Sequence, residues 1–108
     1  MIDNGTVTTL ADSSSGSTDN NTGTSASFYR PRGITTDGTN LYVVGDNHRI
    51  RKIVIDNGTV TTLAGSSQGS IDNATGTLAS FNRPYGITTD GTYLYVAEFG
   101  SHRIRKIE

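Results

Sequence analysis

Hydrophobic residues in this chain fall in short runs, several of them alternating with polar neighbours, and the runs are separated by polar segments rich in turn formers. Thr6–Leu10 reads TVTTL, Gly33–Thr36 GITT, Leu41–Val44 LYVV and Arg51–Ile55 RKIVI. Runs of this length, built from β-branched and aromatic residues, predict half-buried strands. The breaks between them carry hairpin chemistry. Asn57-Gly58 separates RKIVI from a second TVTTL (Thr59–Leu63), and Asp37-Gly38-Thr39-Asn40 separates GITT from LYVV. Asn-Gly and Asp-Gly favour two-residue type I′ turns, in which both central residues take positive φ.

The same pattern occurs twice. Ile2–Ala11, IDNGTVTTLA, returns unchanged as Ile55–Ala64; RPxGITTDGTxLYV stands at Arg30–Val43 and Arg83–Val96; HRIRKI stands at His48–Ile53 and His102–Ile107. The offset is 53 up to the histidine and 54 beyond it, because the second copy carries one extra residue. Two units result, 2–54 and 55–108, and Met1 alone is left over. Each unit supplies four strands, here lettered A (GITT), B (LYV), C (RIRKI) and D (TVTTL), with D first in chain order. Between D and A runs a long polar stretch, Asp12–Arg30 and Gly65–Arg83, of linker-like composition. Its shared pattern GTxASFxRP instead points to an ordered loop, with Phe28 and Phe81 as plugs.

Composition agrees with a turn-rich β protein: of 108 residues only 32% are hydrophobic, and Gly, Ser, Thr and Asn abound. A formal net charge of −1 provides no general attraction to nucleic acid or anionic lipid, so neither is expected as a partner. With no cysteine there is no disulfide framework and no thiol chemistry. The N-terminus lacks the basic and apolar regions of a secretory signal, and no apolar run approaches the length of a membrane span, so a soluble chain of unassigned compartment is expected.

A four-stranded unit of about this length is the blade of a β-propeller. The residues also match a family. GITTDGTxLYV followed by Asn47-His48-Arg49-Ile50, or by Ser101-His102-Arg103-Ile104, resembles the NHL repeat, named for its Asn-His-Leu signature, and the resemblance covers both units. Where members of that family often carry Asp after the apolar pair of strand B, this chain has Gly45 and Glu98. The expected fold is therefore all-β: two four-stranded antiparallel blades.

Two blades cannot close a ring, and stacked repeats generally need about three units to be stable. The strand order is D, A, B, C, D, A, B, C, so the second blade lacks its outer strand and the first TVTTL lacks a blade. The outer strand of the last blade is thus expected from the N-terminal strand of another subunit, with strand D of one copy beside strand C of the next, head to tail. Val7, Leu10, Ile104 and Ile107 are the expected interface residues. Three copies give six blades, the size that the resemblance favours; four copies give eight. This phase is also that of a piece of a longer repeat protein, natural or engineered.

In an antiparallel meander the A–B and C–D turns lie at one end and the B–C and D–A loops at the other. At the first end Asp37-Gly38-Thr39 and Asn4-Gly5 are unchanged between copies, whereas the second end varies: Val44-Gly45-Asp46-Asn47 becomes Ala97-Glu98-Phe99-Gly100-Ser101, and Arg32 becomes Tyr85. Binding residues concentrate on loops held by a rigid scaffold. The candidates are Arg30, Arg32, Asp46, Asn47, Arg83, Tyr85, Glu98 and Phe99, whose mixture of charge and aromatic surface suits a peptide or glycan.

Catalytic signals are weak. No nucleophile–base pair, paired carboxylates or cofactor motif appears, so a non-catalytic protein without cofactor or metal is expected. His48 and His102 each stand alone in their repeat, where a zinc site needs about three or four ligands; a hydrogen bond between blades is the expected role. Asp19-Asn20 and Asp72-Asn73 faintly resemble a calcium loop but lack its distal Glu, and read as turn chemistry. The alternative function comes from the resemblance: some NHL-like propellers are lyase-like or lactonase-like and hold a metal at the channel mouth. Strand A here offers Thr35, Thr36, Thr88 and Thr89 instead of inward His or carboxylates.

Overall fold

The computed structural model describes residues 2, 4–11 and 15–108. Asp3, in the first copy of IDNGTVTTLA, and positions 12–14, at the start of the first polar stretch, lie outside the described residues. Seven strands form: β1 (Pro31–Thr36), β2 (Asn40–Gly45), β3 (Ile50–Val54), β4 (Val60–Ala64), β5 (Pro84–Thr89), β6 (Leu94–Glu98) and β7 (Arg103–Ile107). They make two antiparallel sheets, β1-β2-β3-β4 and β5-β6-β7, each with neighbours consecutive in the chain. These are the A-B-C-D and A-B-C meanders expected of two blades. No described helix is long and apolar enough to cross a membrane.

The register is the same in both sheets. Ile34 faces Val43 and Ile87 faces Val96, and each A–B ladder breaks once beside Pro31 or Pro84, where a proline has no N–H to donate. The hairpins form where Asn-Gly and Asp-Gly stand, but not as type I′ turns. Only the glycines take positive φ, Gly58 at 76° and Gly38 at 94°, while Asn57 and Asp37 keep negative φ. Side-chain capping explains the difference: Asp37 Oδ1 accepts the N–H groups of Thr39 and Asn40 at 2.9 and 2.8 Å, and Asn57 Oδ1 accepts that of Thr59 at 3.0 Å. Longer loops built on such Asx contacts replace the two-residue turn.

Thr6–Leu10 is the one predicted strand that joins no ladder. A strand needs a partner for its N–H and C=O groups, and the described residues provide none beside it. Its end is nonetheless in place. The Leu10 carbonyl lies against Gly23, where a Cβ would sit 2.6 Å away, as the Leu63 carbonyl lies against Gly76 at 2.7 Å.

Two apolar clusters hold the blades. One lies within the first blade, where Ala26, Val43, Ile53 and Val60 are buried with Phe28 and Leu41 beside them. The other joins the blades: Val44, Ile50 and Ala64 of the first meet Ala79, Phe81 and Val96 of the second. There β5 lies against β1 and β2. The approach is closest at Gly33, where any Cβ would come within 2.7 Å of the Tyr85 carbonyl, so only glycine permits this spacing. Phe81 is buried and Phe28 half-buried, so Phe81→Ala is expected to destabilise the chain by about 3–5 kcal/mol in chemical denaturation, and Phe28→Ala by clearly less.

Candidate functional site

The polar D–A stretches, linker-like in composition, are ordered by one arginine per blade. Arg51, on strand β3, is buried; its Nη1 donates to the Ser27 carbonyl at 2.9 Å, its Nη2 to the Thr18 carbonyl at 3.0 Å, and its Nε and Nη2 to Asp19 Oδ1 at 3.1 and 2.8 Å. The guanidinium lies 4.9 Å above the Phe28 ring. Arg105 repeats this on β7, reaching the Ser80 and Ile71 carbonyls at 2.9 and 3.0 Å, Asp72 Oδ1 at 2.7 Å and the Phe81 ring at 4.7 Å. The phenylalanine plugs thus work by seating a buried cation, which needs all of these partners to tolerate desolvation. Asp19 and Asp72 are the ligands of these arginines. Their chemical role was hidden in the sequence, and the signal that could have found it is an Asp and an Arg kept at matching places in both repeats.

Asp19 does more. Its carboxylate also accepts the Thr62 N–H and the Thr62 hydroxyl, each at 3.1 Å, and so pins outer strand β4. Asn20 exchanges two backbone hydrogen bonds with Val60, at 3.1 and 2.8 Å. Among the described residues nothing corresponding happens at Asp72, because no outer strand lies beside β7.

At the turn end the polar groups serve structure. Asp37 accepts from Thr39, Asn40 and the Tyr42 hydroxyl, and the two backbone N–H groups and the phenol hold its carboxyl at about 2. Asp90 is lowered by the matching contacts with Tyr93, Thr92 and Tyr95.

The opposite end gathers most of the candidate residues. Arg32 grips Asp46 through two bonds, Nε–Oδ1 at 3.2 Å and Nη2–Oδ2 at 3.1 Å. The pairing lowers the Asp46 pKa and raises that of Arg32. Arg30 adds a longer contact to Asp46 at 3.8 Å. Across the blade boundary the Arg32 guanidinium lies 4.7 Å over the Tyr85 ring, and Tyr85 stacks on Phe99 at 5.6 Å and 29°. Asp46, Arg32, Tyr85 and Phe99 therefore form one row of contacts spanning both blades, with both aromatic rings exposed.

Two further candidates turn inward, while Arg83 stays exposed. Asn47 donates to Ser17 Oγ at 3.0 Å. Glu98 is buried, ion-paired with Arg105 at 3.0 Å, and accepts the Asn82 N–H at 2.6 Å and the Ser101 hydroxyl at 2.9 Å. Of the expected interface residues, Val7, Leu10 and Ile104 are exposed, and Ile107 is half-buried beside the cluster between the blades.

His48 joins the blades as anticipated: its Nδ1 accepts the Arg83 N–H at 3.1 Å. Both residues sit in the left-handed region, at φ 61° and 51°. Among the described residues no three His, Cys, Asp or Glu side chains converge as metal ligands.

Two consecutive antiparallel meanders, of four and three strands in the same register and joined through β5 and a shared apolar cluster, define a pair of β-propeller blades. Human NHL repeat-containing protein 2 is 34% identical over 92 residues, which cover 80% of this chain and 13% of that protein. The fold matches a solved protein of unknown function from Bacteroides thetaiotaomicron with a TM-score of 0.75 at 34% identity, covering 84% of this chain and 24% of that one. It also matches an auxiliary nutrient binding protein from Bacteroides ovatus with a TM-score of 0.75 at 28% identity, covering 89% and 26%. No protein-family profile matches the chain. The chain belongs to the NHL-repeat family, and it spans a small part of the length of these relatives.

Burial lowers the His48 pKa, with Arg83 and Arg49 adding to the effect and Asp46 opposing it. A depressed folded-state value means that the unfolded chain binds the proton more readily, so this contribution to stability is complete above the ordinary value of 6.5 and is lost as the pH falls below it. Melting temperatures from pH 7.5 down to pH 5 should decline in the wild type, and His48→Ala should flatten the part of that slope that His48 contributes.

Proposed function

We propose that this chain is a non-catalytic propeller-building module that joins copies of itself head to tail into a closed ring. The carrying observation is a pair of unmatched edges. Among the described residues, strand β7 has β6 on one side and nothing on the other, while TVTTL at Thr6–Leu10, whose identical copy at Thr59–Leu63 enters β4, has no strand partner. The apolar surfaces agree with this reading. Ile50 is 0% exposed at the blade contact whereas its repeat mate Ile104 is 75% exposed, and Val60 is 1% exposed whereas its mate Val7 is 91% exposed. Exposed apolar and strand-edge surface of this kind favours association. Three copies making six blades is the favoured ring, and four making eight the next. Light scattering tests it: a particle of three times the chain mass of 11.5 kDa is expected, and a monomer in dilute solution removes the ring.

The ring presents the loop end of every blade on one face, and that face is the proposed binding surface for a peptide or glycan. The row of Arg32, Tyr85 and Phe99, with Arg30 and Arg83 exposed beside it, supports this reading, as does a neighbour named for nutrient binding. Phe99→Ala and Arg30→Ala should weaken a ligand found by glycan- or peptide-array screening by about tenfold, within the range of a lost aromatic or charged anchor, and leave the melting temperature within a few degrees. Unchanged binding in both variants would place the ligand elsewhere.

A further inference from the structure

We propose that the two open ends of the chain are complementary halves of one joint, which a second copy of this chain closes through Asp72, His102 and Arg30. This deepens the assembly reading, on which it rests, by naming the contacts that select the partner.

The closed version of the joint is visible inside the chain. Asp19 Oδ1 is held by Arg51, which orients the carboxylate toward Thr62 of the outer strand. Asp72 Oδ1 is held in the same way by Arg105, yet its Oδ2 meets nothing among the described residues, and its side chain is 92% exposed against 42% for Asp19. One repeat before Thr62 stands Thr9. By the same correspondence, the backbone of Asn73 awaits Val7 as that of Asn20 holds Val60.

The incoming segment is already shaped. Thr6 N–H donates to Asn4 Oδ1 at 3.1 Å and Gly5 has φ 79°; in the hairpin that carries β4, Thr59 donates to Asn57 Oδ1 at 3.0 Å and Gly58 has φ 76°. The turn therefore forms without the neighbour it would meet.

The histidine contact is prepared on both sides. His102 has φ 60°, like His48, and Arg30 has φ 44°, like Arg83, although no bond joins them in the lone chain. Left-handed backbone is costly for residues other than glycine, so its presence at both unbonded positions shows that each blade sets it without the inter-blade bond, as where the Tyr29 carbonyl beside Arg30 accepts the Asp46 N–H. In the joint the Arg30 N–H of one copy donates to Nδ1 of His102 of the other. Gly86 leaves room for the same approach that Gly33 makes to the second blade, since only the Ala97 Cβ comes as near as 4.0 Å to its missing Cβ position.

Asp72, Asn73, His102 and Ile104 all lie on the last blade, whereas Gly5, Val7, Thr9 and Arg30 precede or open the first. The two surfaces differ, so the contact is heterologous and propagates head to tail. Backbone pairing supplies general strand affinity, and the Asp72 and His102 contacts restrict it to a strand with Thr at the place of Thr9, the fourth residue of TVTTL, followed by a blade with Arg before its proline.

The test is light-scattering mass over a dilution series for the full chain and for Asp72→Ala, Thr9→Val and His102→Gly, with circular dichroism to establish that each keeps its sheet content. Thr9 lies outside the sheets of the lone chain, and glycine suits the left-handed position of His102, so these two variants retain the blades. Each variant is expected to raise the concentration at which the assembly forms by about tenfold, as loss of a charge-assisted or buried hydrogen bond does. A synthetic peptide of residues 2–11 in excess is expected to lower the mass of the wild-type assembly and to do so poorly with Asp72→Ala. An assembly that forms equally well in all three variants overturns these contacts and leaves the ring standing. A monomeric wild type that ignores the peptide overturns both, and a monomer that binds it in an Asp72-dependent way supports the joint and removes the ring.

Discussion

A guanidinium buried in each blade is the contact on which the rest depends. The D–A stretches are too polar to fold by hydrophobic collapse, and their Ser, Gly, Asn and Thr would otherwise stay hydrated. Arg51 and Arg105 draw them onto the sheet by offering several donors to backbone carbonyls on opposite sides of each stretch, over a phenylalanine ring that excludes water. A buried cation is tolerable only when every donor is met, so the arginine and the loop order each other. The second blade adds Glu98 to this network, in the place where the first has Gly45 packed against the Tyr29 carbonyl.

That tether reaches outward as well. By holding one oxygen of Asp19, Arg51 directs the carboxylate toward strand β4, so the loop becomes the guide for the outer strand of its own blade. The same tether operates in the second blade without an outer strand to guide. A repeat protein gains stability from interfaces between neighbours. One such interface is filled within the chain, where β5 and the shared apolar cluster join the two blades.

Much of the fold was legible because strands are specified locally. Period-two runs of Val, Ile, Thr and Tyr, bounded by Asn-Gly and Asp-Gly, mark seven strands that form within a residue or two of where they were expected, and the duplicated HRIRKI correctly suggested a histidine between blades. The turn type was not legible, since a positive φ at Asn57 or Asp37 had to compete with side-chain caps that settle a longer loop. The loop-face residues were legible as a group but not one by one. Variation between the copies marked Glu98 and Asn47 along with Arg32, Tyr85 and Phe99; burial separates them, and burial depends on which neighbour a side chain meets. Asp19 and Asp72 looked like turn residues because their arginine partners lie more than thirty positions away.

The sequence by itself determined the repeat, its period, the strand order and the absence of thiol chemistry, because these follow from residue identity and short-range backbone preference. Only the tertiary structure decided which polar residues face water and which are buried, which carboxylate seats which arginine, and that TVTTL forms a strand at Thr59–Leu63 but not at Thr6–Leu10. The two segments are identical in sequence. A strand exists only where another backbone lies alongside to accept and donate its hydrogen bonds, and that is a property of the surroundings.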